Sequence, residues 1–395
     1  MRILLFADAF PPFQSSASIQ LKDLVDRYVS EGHSITIFTT SRIPKELSDL
    51  EMNEFLNIIR IRNPITKNVN FSRRAIAESL IPITTLISFF TSKARNQKWD
   101  GIIWYSPSIF FGLPIFFIKK YTKCKTYLIL RDIFPEWALN VGHIKKGPIY
   151  IFFKLFESIQ YHVADRIGVQ SDSNISYFKK SYPSLLNKVE VLNNWLSIMA
   201  HNKSSINLDQ TALKNRFNLI YAGNIGSAQG LTNIMNFVIQ MKDTPDIGFI
   251  FVGDGDAKLK LLAIAKNNNL TNILFFDPIP HAEIYSLYKQ CNMGIVSLDM
   301  KHETHNIPGK LLSYLQAGLP IFALVNQGND ILKINKLHNI GIASSEINAK
   351  KLKNLFMEYY AKLPEDHDIQ NRCFSLSADQ FSDTRAFSQT MSSFK

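Results

Sequence analysis

One stretch concentrates residue types that could bind an anion: His305-Asn306-Ile307-Pro308-Gly309-Lys310-Leu311-Leu312-Ser313-Tyr314-Leu315-Gln316-Ala317-Gly318-Leu319-Pro320. Pro308 and Gly309 stand where a helix should begin, and the unsatisfied N–H groups of a first turn attract negative charge. Lys310 adds a fixed cation beside them, so the group reads as a diphosphate clamp. The plainer alternative is a capped core helix whose lysine is solvated. Gly318 ends the helix and Pro320 precedes a strand. A second glycine-rich loop, Gly223-Asn224-Ile225-Gly226-Ser227-Ala228-Gln229-Gly230, follows a strand and opens a helix. It is no Walker loop, because no Gly-Lys-Ser/Thr closes it. Its glycines still let backbone approach a diphosphate closely. Gly253-Asp254-Gly255 lacks the third glycine of a dinucleotide fingerprint, since that position is Lys258. It reads as a tight strand-to-helix turn, with Asp254 placed to line a cleft.

The first half offers different chemistry. Arg131-Asp132-Ile133-Phe134-Pro135-Glu136-Trp137 follows a strand at its carboxyl end. There Asp132 or Glu136 could take a proton from a substrate hydroxyl, with Arg131 orienting Asp132. A simple Arg131–Asp132 ion pair or a helix cap is the alternative. The loop from Asp8 to Ser18 carries Ser15 and Ser16 ahead of a helix, where free N–H groups could hold a phosphate or a sugar.

These groups need a frame, and hydrophobic periodicity supplies one. Arg2–Ala7, Ser34–Thr40, Asn57–Arg62, Gly101–Tyr105, Thr126–Leu130 and Asp165–Gln170 read as buried strands. Ile19–Ser30 and Pro148–Ala164 read as helices between them. The pattern restarts with strands at Phe217–Ala222, Gly248–Val252, Ile273–Phe276, Met293–Leu298 and Pro320–Val325. Helices at Leu231–Met241, Asp256–Asn267, His281–Lys289 and Gly309–Ala317 alternate with them. The order predicts an α/β protein of two doubly wound, Rossmann-like domains facing across a cleft, with ligands at the carboxyl ends of the strands. The expected domains are 1–196, which would bind an acceptor, and 210–377, which would bind a donor. The polar stretch Ser197–Asp209 would link them, and a C-terminal helix within 378–395 would pack back on the first.

Composition narrows the partners. The 395 residues carry 44 Lys+Arg against 33 Asp+Glu, a net charge of +11. Residues 1–190 hold 25 basic and 16 acidic residues, so nearly all the excess lies in the first half. A one-sided basic surface predicts an anionic partner. Ordinary solubility charge is the alternative. Ser79–Phe90 and Ile102–Ile118 are apolar but too short or too interrupted to span a bilayer. Edged by Arg73, Arg74, Lys93, Arg95 and Lys119, Lys120, Lys123, they suit either a peripheral membrane surface or core elements with basic loops. Three widely spaced cysteines suit a reducing compartment and predict no metal site, and the N-terminus is expected to carry no signal peptide. No nucleic-acid motif is present, so nucleic acid is not an expected partner.

Together the motifs resemble family 4 glycosyltransferases of the two-domain GT-B type, over nearly the whole chain. Phe10-Pro11-Pro12 and Glu31-Gly32-His33 are similar to the family's start, and Pro308 to Pro320 to its C-terminal signature. YLILRDIFPEWALNVG, Gln170-Ser171-Asp172-Ser173-Asn174, YAGNIGSAQG and HNIPGKLLSYLQAGLP look closest to WbuB-like N-acetyl-L-fucosamine transferases of O-antigen and capsule assembly. The resemblance implies retaining transfer of a sugar from a UDP-sugar to a polyprenyl-diphosphate-linked saccharide. It implies no cofactor, no obligatory metal and a cytoplasmic enzyme on the inner-membrane face with its anionic lipids. Gly223, Asn224, Gln229, Asp254, Pro308, Gly309, Lys310 and Ser313 would bind the donor nucleotide, with His305 and Asn306 facing the donor sugar. Arg131 and Asp132 would face the acceptor, alongside Glu136, Ser15 and Ser16. The sequence departs from the family in three places. The Glu-x7-Glu pair falls on His305 and Ser313, a family Arg and Lys become Asn224 and Gln229, and the first-loop Gly-Gly becomes Ser15-Ser16. A nucleotide-sugar 2-epimerase of the same fold and a non-catalytic membrane-bound assembly partner remain open alternatives.

Overall fold

In the computed structural model, residues 1–13, 15–40, 54–63, 77–106, 108–140, 142–300 and 307–395 are described. The chain divides into two units, Met1–Trp195 with Asp383–Lys395, and Leu196–Ser382.

The first unit runs β1 (Arg2–Ala7), α1 (Ser16–Ser30), β2 (Ser34–Thr39), β3 (Leu56–Arg60), α2 (Ile81–Thr91), β4 (Gly101–Ser106), α3 (Gly112–Thr122), β5 (Lys125–Leu130), α4 (Glu136–Asn140), α5 (Pro148–Val163), β6 (Arg166–Val169), α6 (Asp172–Ser181) and β7 (Val189–Val191). The sheet is parallel in the order β3-β2-β1-β4-β5-β6-β7, with β1 pairing Ile3 to Ile35 on one side and to Gly101 on the other. Strands buried on both faces need apolar residues at every position. In β1, Leu4 and Phe6 enter the core under α2, α3 and α5, while Ile3, Leu5 and Ala7 enter the core under α1. Helix α1 starts at Ser16, three residues before the apolar period begins. Ser15 caps it reciprocally, accepting from Ser18 N at 3.1 Å while its own N–H donates to Ser18 Oγ at 2.9 Å. Ile102–Ile118 resolves into β4, a 3-10 turn at Ile109–Phe111 and α3, and its Ile102, Trp104, Phe111, Ile115 and Ile118 are buried.

The second unit runs β8 (Phe217–Ala222), α7 (Leu231–Gln240), β9 (Ile247–Val252), α8 (Lys258–Asn267), β10 (Ile273–Phe276), α9 (Ile284–Tyr288), β11 (Met293–Ser297), α10 (Gly309–Gln316), β12 (Ile321–Leu324), α11 (Asp330–His338), β13 (Gly341–Ser344), α12 (Ala349–Lys362) and α13 (Ile369–Phe381). Its parallel sheet has the order β10-β9-β8-β11-β12-β13, so the winding reverses between β8 and β11. In such sheets ligands bind where the order reverses, beyond the carboxyl ends of the strands.

Two boundaries differ from the sequence expectation. Residues 197–209 are no free linker: Met199, Ile206 and Leu208 are buried in the second unit's core, and Met199 N donates to Gln316 Oε1 at 2.8 Å. The expected single C-terminal helix breaks at Ser382. There Leu196 N bonds Phe381 O at 2.9 Å, and Asp383 starts a new helix, α14 (Asp383–Ser392). Asp383 accepts from Thr384 N at 2.7 Å and pairs with Arg27 at 3.4 Å, which ties α14 to α1. Tyr28, bonded to Thr390 at 2.8 Å, fixes the same contact from the core.

Candidate active site

The second unit holds a cavity of about 450 Å³ beyond the ends of β8, β9 and β10, floored by α10. Its walls differ in character. One side is the backbone of Gly223, Asn224, Gly253 and Asp254, and the other is the apolar group Pro278, Ile279, Ile284 and Tyr288 with His281. Lys310 and Ser313 close it from α10.

Close backbone packing builds the glycine side. Gly223 N donates to Val252 O at 2.9 Å, and Ile225 N to Asp254 O at 2.8 Å, so the loops after β8 and β9 extend the sheet's bonding. Gly253, at φ +143°, has no room for a Cβ, which would sit 2.0 Å from Gly223 O. Gly223, at φ +128°, would bring a Cβ within 2.9 Å of Lys310 Cε. Two glycines thus let Lys310 lie against the loop.

The start of α10 is held in place by its aromatic residue. Tyr314 OH donates to Ile220 O at 3.1 Å, and Ala222 N donates to the same hydroxyl at 3.3 Å, which anchors the helix beneath β8. Pro308 occupies the cap position with extended backbone, and no side chain caps the first turn. Gly309 opens the helix, so its N-terminal N–H groups carry the positive end of the helix dipole. Lys310 Nζ sits 4.9 Å above the Tyr221 ring. No carboxylate among the described residues pairs with it, and burial pushes its ammonium down to about 8. A partly desolvated cation with no counterion among the described residues, at a helix N-terminus beside a cavity, is arranged for an anion.

The other expected donor-site residues are placed differently. Asn224 and Asp254 line the cavity, and the Asp254 carboxylate accepts from Gly255 N at 2.8 Å. Ser313 lines it too, with its hydroxyl donating to Gly309 O at 3.3 Å. Gln229 lies on the 3-10 turn Ser227–Gln229, outside the cavity lining, and its carbonyl accepts from Ser297 Oγ at 2.7 Å. His305 and Asn306 lie outside the described residues.

In the first unit, structural duties occupy several expected site residues. Arg131 is buried at the end of β5 and donates to Leu192 O at 2.7 Å and Asn193 O at 3.4 Å, with its guanidinium 4.6 Å from the Trp195 ring. It braces the β7 end of its own unit, and it also interacts electrostatically with Asp132 beside it. Asp132 follows it, half-buried. Glu136 accepts from Tyr150 OH at 2.7 Å and from Lys154 Nζ at 3.2 Å. Lys154 also pairs with Glu157, a buried carboxylate that accepts from Tyr161, Tyr177 and Tyr182. Ser15 is committed to capping α1, and Ser16 is the helix's first residue. Near the strand ends, Ser106 Oγ, Ser108 Oγ and Gln170 Oε1 are buried with no partner among the described residues.

With this geometry established, comparison with known proteins is informative. Residues 205–372, the body of the second unit, match the family model of glycosyl transferases group 1. The similarity is to group 1 glycosyltransferases. WcaI of Escherichia coli, named as a colanic acid biosynthesis glycosyl transferase, is 23% identical over 341 residues, 80% of this chain and 82% of its own. Among solved structures, Anabaena HepE in complex with UDP and glucose superposes with a TM-score of 0.68 at 13% identity, covering 99% of this chain and 98% of its own. WaaG, described as a glycosyltransferase involved in lipopolysaccharide biosynthesis, gives 0.65 at 13% identity and 98% coverage of both chains. These likenesses establish the fold as two Rossmann-like α/β units of the GT-B kind.

Within that fold the apolar wall is what sequence reading missed. Pro278, Ile279, Ile284 and Tyr288 carry no charge and no glycine pattern, so they look like core. The available signal was the pair of prolines, Pro278 and Pro280, directly after a strand of the same half of the chain as Lys310.

Proposed function

We propose that the protein is a retaining glycosyltransferase that moves a sugar from a UDP-sugar to a polyprenyl-diphosphate-linked saccharide in assembly of a bacterial surface polysaccharide. The observation that carries this reading is Lys310 at the start of α10, buried without a carboxylate partner among the described residues and lying against Gly223 on the wall of the 450 Å³ cavity. Lys310 and the helix N-terminus take the diphosphate and offset the charge of the leaving group as the glycosidic bond breaks. The apolar wall takes the base, and Ser313, which lines the same cavity, is assigned to a ribose hydroxyl. This assignment uses no metal ion. The acceptor belongs to the first unit, where Asp132 positions its hydroxyl. Retention follows from attack of the acceptor hydroxyl on the face from which the diphosphate departs, the acceptor proton passing to the leaving phosphate. The resemblance to N-acetyl-L-fucosamine transferases suggests an N-acetylated deoxyhexosamine as the donor sugar. The proposed lipid acceptor and the basic first half support a reaction at the cytoplasmic face of the inner membrane.

One carboxylate, Asp254, lines the described cavity. This supports transfer over 2-epimerisation, which needs carboxylates about the sugar. The test is a mass-spectrometric screen of UDP-sugars against a polyprenyl-diphosphate-saccharide acceptor. Transfer with retained anomeric configuration is expected. Epimerised donor without acceptor, or no saturable UDP binding, would overturn the proposal.

A further inference from the structure

Three neighbouring helices of the first unit turn an uncharged face outward. On α2, Ile83 and Ile87 are each 58% exposed, one turn apart. On α3, Phe117 and Tyr121 are exposed at the same spacing, and Tyr121 touches Phe89 and Phe90 of α2. On α5, Ile149, Ile151, Phe152 and Leu155 are exposed, with Ile151 at 66%. Phe152 packs on the buried Phe110, just before α3, which seats α5 beside α3. Sheet strands and tight packing explain apolar residues pointing inward, but not a row of them pointing out. Contiguous exposed apolar patches of this kind mark interaction sites.

The charges around the face decide what covers it. Helices α2 and α3 contain no Asp or Glu, and the single carboxylate of α5, Glu157, is fully buried. Lys154, the only Lys or Arg on α5, turns inward to Glu136 and Glu157. The outer surface of α5 is therefore left without charge. Exposed cations stand at both ends instead. Lys145 and Lys146 precede α5, while Lys93 follows α2, and Lys120 and Lys123 stand at the end of α3. Lys120, Lys123, Lys145 and Lys146 pair with no carboxylate among the described residues. A recess of about 410 Å³ opens among Phe116, Lys119, Lys120, Lys123 and His162. Just beyond α5 a part-exposed carboxylate, Asp165, is spent on Lys119 at 2.7 Å. Apolar side chains in the middle, unpaired cations at the edges and no exposed carboxylate on the described residues of the three helices form the pattern that settles into an anionic leaflet. A protein partner would be expected to meet some acidic groups here as well.

We infer that the outer face of α2, α3 and α5 is the surface by which the protein docks on an anionic phospholipid membrane. This rests on the proposed lipid-linked acceptor and names the surface that brings the enzyme to it. The loop carrying Asp132 follows β5, and Lys145 and Lys146 precede α5 on the same β5-to-β6 crossover. Docking through this face would lay all three helices along the headgroups, with the loop that carries Asp132 at the edge marked by Lys145 and Lys146.

The experiment is vesicle co-sedimentation of the full chain with no donor or acceptor present. Vesicles are phosphatidylcholine alone, or phosphatidylcholine with about one third phosphatidylglycerol. The wild type is expected to bind the anionic vesicles and to be released as NaCl rises from about 0.05 to about 0.5 M. Ile151→Asp/Leu155→Asp is expected to weaken partitioning about tenfold or more. Lys120→Glu/Lys123→Glu is expected to weaken it by roughly fivefold or more. Leu259→Asp, at an 80% exposed apolar position of the second unit, should change nothing. If the aspartates unfold the protein, Ile151→Gln/Leu155→Gln makes the same comparison. Equal binding to neutral vesicles, wild-type affinity in the α5 variants, or a dimer that those variants break without loss of vesicle binding would each overturn the inference. UDP affinity of every variant, measured alongside, reports separately on the donor site.

Discussion

Burial holds the Lys310 ammonium near 8, well below the ordinary lysine value. A diphosphate bound beside it favours the charged form, so the free protein must carry a proton on Lys310 to bind well. Between pH 7 and pH 9 the protonated fraction falls from about nine tenths to about one tenth, so UDP-sugar affinity should fall about tenfold. The sign is fixed: affinity is full below about 8 and lost above it. At pH 8 binding should take up about half a proton, visible in calorimetry as an enthalpy that depends on the ionisation heat of the buffer. Lys310→Ala removes a charge-assisted contact of about 2 kcal/mol, roughly thirtyfold in Kd, and should flatten the pH profile. Lys310→Arg keeps a charge that does not titrate in this range, so its profile should be flat while retaining more affinity than the alanine variant. Uridine, which lacks the diphosphate, serves as the control and should bind independently of pH. A wild-type profile flat from pH 7 to 9.5, or a Lys310→Ala variant that binds UDP normally, would refute the clamp.

Three further perturbations test the frame around the site. Gly223→Ala forces a side chain into φ +128° and against Lys310, so it should cost about 1–3 kcal/mol in urea unfolding and weaken UDP binding as well. Arg131→Met leaves the carbonyls of Leu192 and Asn193 without their donor, and should lower stability by about 2–3 kcal/mol in thermal melts while leaving UDP affinity intact. Glu157→Ala strands three tyrosine hydroxyls without their shared acceptor and leaves Lys154 with Glu136 alone as a carboxylate partner. A loss of about 3–5 kcal/mol is expected by chemical denaturation, and a loss below about 1 kcal/mol would contradict the burial argument.

How far the fold was legible depended on how each segment hides its apolar residues. Strands buried on both faces, such as Arg2–Ala7 and Phe217–Ala222, announce themselves as unbroken apolar runs. Helices α2 and α3 do not, because they are apolar both inside and out and so lose the period that distinguishes a helix. Helix α1 began early because serine chemistry, not apolar spacing, sets its start. In the site, Lys310 and Gly223 stood out as charge and glycine at strand and helix ends. Their mutual contact, across 87 residues of sequence, could be known only from the fold. Arg131 illustrates the opposite limit: its position at a strand end was readable, but the carbonyls of Leu192 and Asn193 that hold it lie some sixty residues away.

The return of the chain at Asp383 makes the second unit an insertion in the first. Its entry and exit are neighbours, since Leu196 N bonds Phe381 O at 2.9 Å. Meanwhile the C-terminal residues close the other end of the first unit, where Lys125 Nζ bonds Lys395 O at 3.2 Å and Phe394 covers Gly101. Residues 196–382 could thus be lifted out as a self-contained cassette, with Trp195 rejoined to Asp383 by a short linker. Cutting the chain after residue 195 would instead strip α14 from Tyr28 and open the first unit's own core. The unit that would hold the acceptor is therefore completed only when the last thirteen residues have been made.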